Sequence, residues 1–360
     1  MLSAVVSDLH LGARMSVLGT PPARERLLAQ LDEADQVVLL GDVLALRDGA
    51  AADVLRAAEP FLGGLREVAA GKRVVLVPGN HDHRLARPVL AAAAREDIGL
   101  EQMADPEGDA VVDALARRLD GVELAIAYPG LWIRPDVYAM HGHYLDCHTT
   151  VPRVDCLLAA IAIAAVGRVP QHGAAPADYE AVLAPVYDFA YEYAQSAAAR
   201  GPAAGRDGGL WRRVHAFGWG RVTGGGGGGV QGVAQLALAG VAAAGALGAI
   251  GLARGQRFSL DLSPAAFGHA GVRAAAEVVR RLGIDAPHVI FGHTHRAGPL
   301  EGDADWATGL VNAGSWAYEP ALIGDRGPGD PYWPGHCVLV GDSGPPELRL
   351  LLDEPALALS

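Results

Sequence analysis

Side chains suited to binding a hard or borderline metal cation recur along this chain in one repeated setting, immediately after a short apolar run. Val5-Val6 leads into Ser7-Asp8-Leu9-His10, Val37 to Leu40 into Gly41-Asp42, and Val74 to Val77 into Pro78-Gly79-Asn80-His81-Asp82. Val137 to Met140 leads into His141-Gly142-His143, and His288 to Phe291 into Gly292-His293-Thr294-His295. Short continuous apolar runs read as buried strands, and in open α/β sheets ligands bind beyond the carboxyl ends of strands. A polar turn accounts for any one junction, but five in one chain point to a site assembled at strand ends. Carboxylate, imidazole and amide-oxygen donors without thiolate suit Mn²⁺ first, with Fe or Zn²⁺ next.

In chain order the blocks read DxH (Asp8, His10), GD (Asp42), GNHD (Asn80, His81, Asp82), HG (His141) and GHxH (His293, His295). In this the chain resembles the calcineurin-like metallophosphoesterase superfamily over most of its length. The resemblance implies a two-sheet αββα sandwich of the α/β class and two divalent metal ions. Asp8, His10 and His295 would bind the first ion and Asn80, His141 and His293 the second. Asp42 would bridge them, one carboxylate oxygen to each. His81 would stay uncoordinated and supply a proton, with Asp82 orienting it. Two cations about 3.5 to 4 Å apart polarise a phosphoryl oxygen and acidify a shared water, the nucleophile of a phosphodiesterase or pyrophosphohydrolase.

Arg14, Arg47, Arg84 and Arg296 lie one to five residues from these blocks and are candidates for binding substrate phosphate. His215, His269 and His288 read as satisfied core histidines rather than ligands, and Asn312 to Ser315 as a supporting turn. The protein-phosphatase signature GDxVDRG is missing, since the chain reads Gly41-Asp42-Val43-Leu44-Ala45-Leu46-Arg47. A net charge of -12 argues against a nuclease and against nucleic acid as a partner. Small-molecule or lipid-linked phosphoesters remain as substrates. The alternatives are a catalytically degenerate, metal-binding regulatory scaffold, or a nuclease or protein phosphatase of the same superfamily.

The elements that must position these residues alternate. Pro21 to Ala34 has a helical period, as does Asp53 to Ala70, with an interruption expected near Pro60 and Gly63-Gly64. A further helix is expected over Arg84 to Arg95, a loop over Glu96 to Asp109, and strands over Val122 to Ile126, Leu310 to Asn312, Cys337 to Val340 and Glu347 to Leu352. This order favours parallel neighbours in an α/β core. Residues 1–148 would form the first part of the core and 271–360 its closing part, with 149–270 as a mainly helical, apolar insertion.

That insertion departs from the rest in composition. Val230 to Ala253 carries no charge over 24 residues, and ten arginines stand against seven acidic residues over 149–275 of an otherwise acidic chain. A single crossing there would separate His293 and His295 from Asp8 across a bilayer. The only other apolar run, Cys156 to Gly167, is about half the length a span needs. The segment therefore reads as a cap or as a monotopic element lying on the inner membrane face. The three cysteines, Cys147, Cys156 and Cys337, have neither disulfide-framework nor zinc-knuckle spacing. With a first strand starting at the N-terminus, the expected location is the cytoplasm.

Overall fold

The apolar runs before the five junctions are strands: β1 (Ser3–Val6), β2 (Gln36–Leu40), β3 (Arg73–Val77), β6 (Val137–Met140) and β7 (His288–Phe291). The structure is a computed structural model and describes residues 1–93, 98–149, 156, 159, 170–199, 264–299, 309–323 and 326–353. Five further strands are β4 (Glu101–Ala104), β5 (Glu123–Arg134), β8 (Leu310–Asn312), β9 (His336–Val340) and β10 (Glu347–Leu350). The strand order is β10-β9-β1-β2-β3-β5-β6-β7-β8, with β4 also paired to β5.

β5 belongs to both halves of this array. Its residues 123–126 pair parallel with β3, whereas 130–134 pair antiparallel with β6. The two halves therefore stack as layers. Because side chains alternate along a strand, each half has an inner and an outer face. Val5, Val38, Val75, Ala139, Ile290 and Val338, drawn from both halves, form one buried cluster between them. On one outer face Ala4, Val37, Leu39 and Val74 pack against α1 (Pro21–Asp32), α2 (Ala51–Val68) and α4 (Ala110–Arg118). On the other, Tyr138, Val289 and Phe291 meet α5 (Pro176–Ala199) and α6 (Pro264–Leu282). This is the helix-sheet-sheet-helix arrangement expected. β1, β2, β3 and the first half of β5 run parallel, so their carboxyl ends lie along one rim.

Three local expectations change. α2 runs unbroken through Pro60 and Gly63-Gly64, because the stripe Val54, Leu55, Ala58, Phe61, Leu62 and Leu65 keeps its spacing across them and is buried throughout. Packing of that stripe outweighs a local cost of about 3 kcal/mol for Pro and about 1 for Gly. The region read as loop contains β4, a half-buried edge strand held by pairing Met103 to Ala127, and its sequence lacks the apolar alternation that marks a strand. α4 follows it, capped by Asp109, whose side chain accepts from Val111 N at 3.0 Å. The helix expected over 84–95 is a 3-10 turn, His83–Ala86, then α3 (Arg87–Ala92).

Of 149–270, only α5, the start of α6 and a few flanking residues fall within the described part, and Val230 to Ala253 lies outside it. Among the described residues no helix is long and apolar enough to cross a membrane.

Candidate metal centre

Asp8, His10, Asp42, His293 and His295 have left-handed backbones, with φ between 47° and 65°, and no other non-glycine among the described residues has positive φ. Such conformations are costly away from glycine and persist where surrounding structure enforces them, most often at functional sites. All five lie on the loops after β1, β2 and β7. Two glycines let these loops approach. A Cβ on Gly79 would lie 2.4 Å from Asp42 Oδ1, and one on Gly292 would lie 2.0 Å from Ser7 Oγ.

The seven expected ligands converge in two adjacent groups. In the first, His295 Nε2 lies 3.2 Å from Asp8 Oδ1 and 3.0 Å from His10 Nε2. Asp8 Oδ2 is held from outside by Ser7 Oγ at 2.6 Å and His293 N at 2.9 Å. In the second, Asn80 Oδ1 lies 2.9 Å from His293 Nδ1 and 3.2 Å from His141 Nε2. Asp42 stands between the groups, but not as expected. Its Oδ1 accepts from His81 N at 2.7 Å, so the single oxygen Oδ2 faces both His141 Nε2 at 3.4 Å and His10 Nε2 at 3.9 Å. Asp8-His10-His295, His10-Asp42-His81 and Asp42-His141-His293 each bring metal-type atoms within 4.8 Å of one another.

The far sides of the rings decide what these groups can hold. His141 Nδ1 lies 2.9 Å from Leu40 O, and His293 Nε2 lies 2.9 Å from Asp146 Oδ1. Each ring therefore donates outward and, when neutral, turns a lone pair inward. His295 Nδ1 bonds Glu319 Oε1 in the same way. Inward-facing lone pairs beside two carboxylates form a cage of acceptors, which fits divalent cations. The Asn80 amide also fits turned over, its nitrogen donating to His141, His293 and Asp42 and its oxygen accepting from Arg47 Nη1 at 2.7 Å. A cation would favour the oxygen-inward orientation.

The electrostatics agree. Burial would raise the carboxyls of Asp8 and Asp42, yet His141 and its neighbours hold both below the usual range. Burial opposes charge on His141, but Asp42 and Asp8 raise it to about 9, and Glu319 with Asp8 raises His295 to about 10 in the same sense. His10 is lowered to about 3, by burial first and then by His81 and His295. Without metal the site draws in protons.

His81 is buried, edge-on to His10 with ring centroids 4.8 Å apart. Asp82 does not orient it. That carboxylate accepts from the backbone N–H groups of Gly79 at 2.7 Å, Val43 at 2.8 Å, Leu44 at 3.1 Å and Asp42 at 3.2 Å, fastening the GD loop to the GNHD loop. Burial and nearby Asp42 raise Asp82 to about 6. The carboxylate facing the His81 ring is Asp48, whose Oδ2 lies 3.6 Å from Nδ1. Burial would lower His81, but Asp42 and Asp48 raise it.

Of the four arginines, Arg47 is buried beside Asn80, with Cζ 5.7 Å from the Tyr187 ring. Arg84 bonds Asp109 at 2.8 Å and lies over Tyr191. Arg296 is buried against Gly268 of α6, and Arg14 is exposed on the loop after β1. His293 and His295 both have left-handed backbones, and their two rings reach different groups through different nitrogens.

Sequence reading missed Asp48, Asp146, Glu319 and Glu180. Asp48 and Asp146 lie within six residues of a ligand block, so proximity was a usable signal. Glu319 and Glu180 carried none. Glu180, on α5, accepts from Tyr128 OH at 2.5 Å, Tyr144 OH at 2.7 Å and His83 Nε2 at 2.9 Å.

No curated protein matches the chain. A family model described as calcineurin-like phosphoesterase matches residues 1–193, more than half of the 360. That span carries the first four ligand blocks, and the chain accordingly belongs to the calcineurin-like phosphoesterases, hydrolases that act on phosphoric esters.

Proposed function

We propose that the chain is a dinuclear metal-dependent hydrolase of phosphodiester or pyrophosphate bonds. The observation that carries this reading is the convergence of donor atoms from five strand-end loops into two groups sharing Asp42 Oδ2. Asp8, His10 and His295 would hold one ion, and Asn80, His141 and His293 the other. The donor set suits Mn²⁺ first, then Fe or Zn²⁺. Bound there, two such ions polarise a phosphoryl oxygen and acidify a water.

The chain's own residues supply the rest. His81, raised by Asp42 and Asp48, is the proton donor to the leaving-group oxygen, and Asp48 holds its ring. Arg47 adds a buried positive charge next to Asn80 for the phosphoryl group. Asp82 keeps two ligand loops in register through four backbone N–H groups.

The substrate we favour is a small or lipid-linked phosphoester met at the inner membrane face from the cytoplasm. Support for the lipid tail and the membrane contact comes from sequence alone, through the apolar Val230 to Ala253 and the arginines around it. The test is elemental analysis of the purified protein together with turnover of bis-p-nitrophenyl phosphate after Mn²⁺ loading. Two metals per chain with metal-dependent turnover supports the reading. Bound metal without turnover on that ester or on a panel of pyrophosphates would favour the regulatory scaffold.

A further inference from the structure

His293 and His295 are two residues apart yet serve different groups, and two carboxylates outside the five ligand blocks explain how. Asp146, in the 3-10 turn His143–Cys147, lies 2.9 Å from His293 Nε2. Glu319, beyond β8, bonds His295 Nδ1. A neutral imidazole has two tautomers, and a carboxylate on one nitrogen fixes the proton there and the lone pair on the other. Asp146 thus leaves His293 with its lone pair on Nδ1, toward Asn80. Glu319 leaves His295 with its lone pair on Nε2, toward His10 and Asp8. The rings are set as opposite tautomers.

We infer that Asp146 and Glu319 are positioning residues that assign His293 and His295 to different metal ions, each carboxylate supporting one site of the pair. This rests on the dinuclear reading above.

Both carboxylates are built in. The Asp146 side chain is 1% exposed, and its Oδ2 has no hydrogen-bond partner among the described residues. A buried carboxylate half satisfied is costly unless positive charge lies nearby, and a cation on the far side of His293 provides it. Glu319 is held by the segment following β8, which is itself fixed to the first ligand block. Trp316 N donates to Asp8 O at 3.0 Å, and Tyr318 N donates to Met15 O at 2.8 Å. Each support therefore belongs to a different structural unit, so the two can be removed independently. Partners that orient a ligating histidine typically contribute about 10- to 100-fold to metal affinity.

The test is calorimetric titration of the metal-stripped full-length protein with Mn²⁺, for the parent and for Asp146→Ala, Asp146→Asn, Glu319→Ala and Glu319→Gln. The parent should bind two ions. Each alanine variant should weaken one ion by about 10- to 100-fold and leave the other within a few-fold. The amide variants, which keep an acceptor but lose the charge, should fall between parent and alanine. If an alanine variant does not fold, its amide partner supplies the same comparison. Equal weakening of both ions by either substitution, or no weakening by both, overturns the assignment. A parent that binds fewer than two ions overturns the dinuclear reading itself.

Discussion

His10 Nε2 and His295 Nε2 lie 3.0 Å apart, although 285 residues separate them in the chain. Two lone pairs at that distance repel unless a cation lies between them. Here His295, raised to about 10, is the protonated partner, and His10, lowered to about 3, the neutral one. A proton thus stands where a metal would. Loading should therefore release it, and likewise the proton on His141, raised to about 9.

Apparent metal affinity should accordingly rise as pH rises from 7 toward 9, by about tenfold per unit for each proton displaced. Titrations in buffers of different ionisation enthalpy count the protons, and release of none would contradict the cage. Stability of the metal-free protein has a matching sign. Folded values raised above the ordinary histidine value of 6.5 contribute stability that is complete below it and lost as pH climbs through 9 to 10. Thermal melting of stripped protein should fall over that window, and excess Mn²⁺ should remove the fall.

Asp42→Ala should cost both metals, because Asp42 Oδ2 is the atom facing both groups. Elemental analysis of the purified variant decides this. Occupancy near two metals per chain would rule out a bridging role.

His81→Ala should keep its metals and lose about 10² to 10⁴ in turnover, the usual scale of general acid assistance. Asp48→Asn tests the revised support for His81. A proton donor is active below its pKa, so activity falls as pH rises through it. Removing a carboxylate that raises His81 should move this alkaline limb to lower pH. An Asp82→Asn variant should instead show its effect as lower stability, because its carboxylate fastens backbone rather than the His81 ring. If the Asp82 substitution moves the limb and that of Asp48 does not, the original pairing stands.

What the sequence made legible follows from where the information sits. Each candidate ligand lies within a few residues of an apolar strand, so strand and ligand read together as one local signal. Asp146 and Glu319 act through contacts that exist only after the sheets stack, and nothing beside Glu319 marks it. The Asp82 pairing failed for a related reason. Adjacent residues on a tight loop point different ways, so Asp82 meets the backbone of the neighbouring loop while Asp48, 33 residues earlier, reaches His81. The break expected in α2 came from weighting Pro60 and two glycines above an apolar stripe that continues past them.

Glu180→Ala should destabilise the fold by about 3 kcal/mol, since Tyr128, Tyr144 and His83 would each lose a buried acceptor. Burial would raise the Glu180 carboxyl, but His83 and the two tyrosines hold it low, so the parent keeps this stability well into mildly acidic pH. Denaturant unfolding of the metal-loaded variant measures the loss. A change within about 0.5 kcal/mol would show that α5 is not anchored through this carboxylate.

The last prediction separates α5 from the apolar stretch beyond it. Cutting out all of 149–270 would remove Glu180 and with it the acceptor for three core side chains. Removing only 224–253 spares α5, α6 and all seven candidate ligands. If the apolar stretch lies on a membrane surface, the full-length protein should co-sediment with anionic vesicles at low salt and favour substrates with an acyl tail. The shortened protein should stay in the supernatant and still hydrolyse bis-p-nitrophenyl phosphate at a rate within a few-fold of the parent. A full-length protein that remains in the supernatant and treats tailed and untailed esters alike would make the stretch a cap over the core. In that case the deletion should instead lower the melting temperature, because the cap's apolar contacts would go with it.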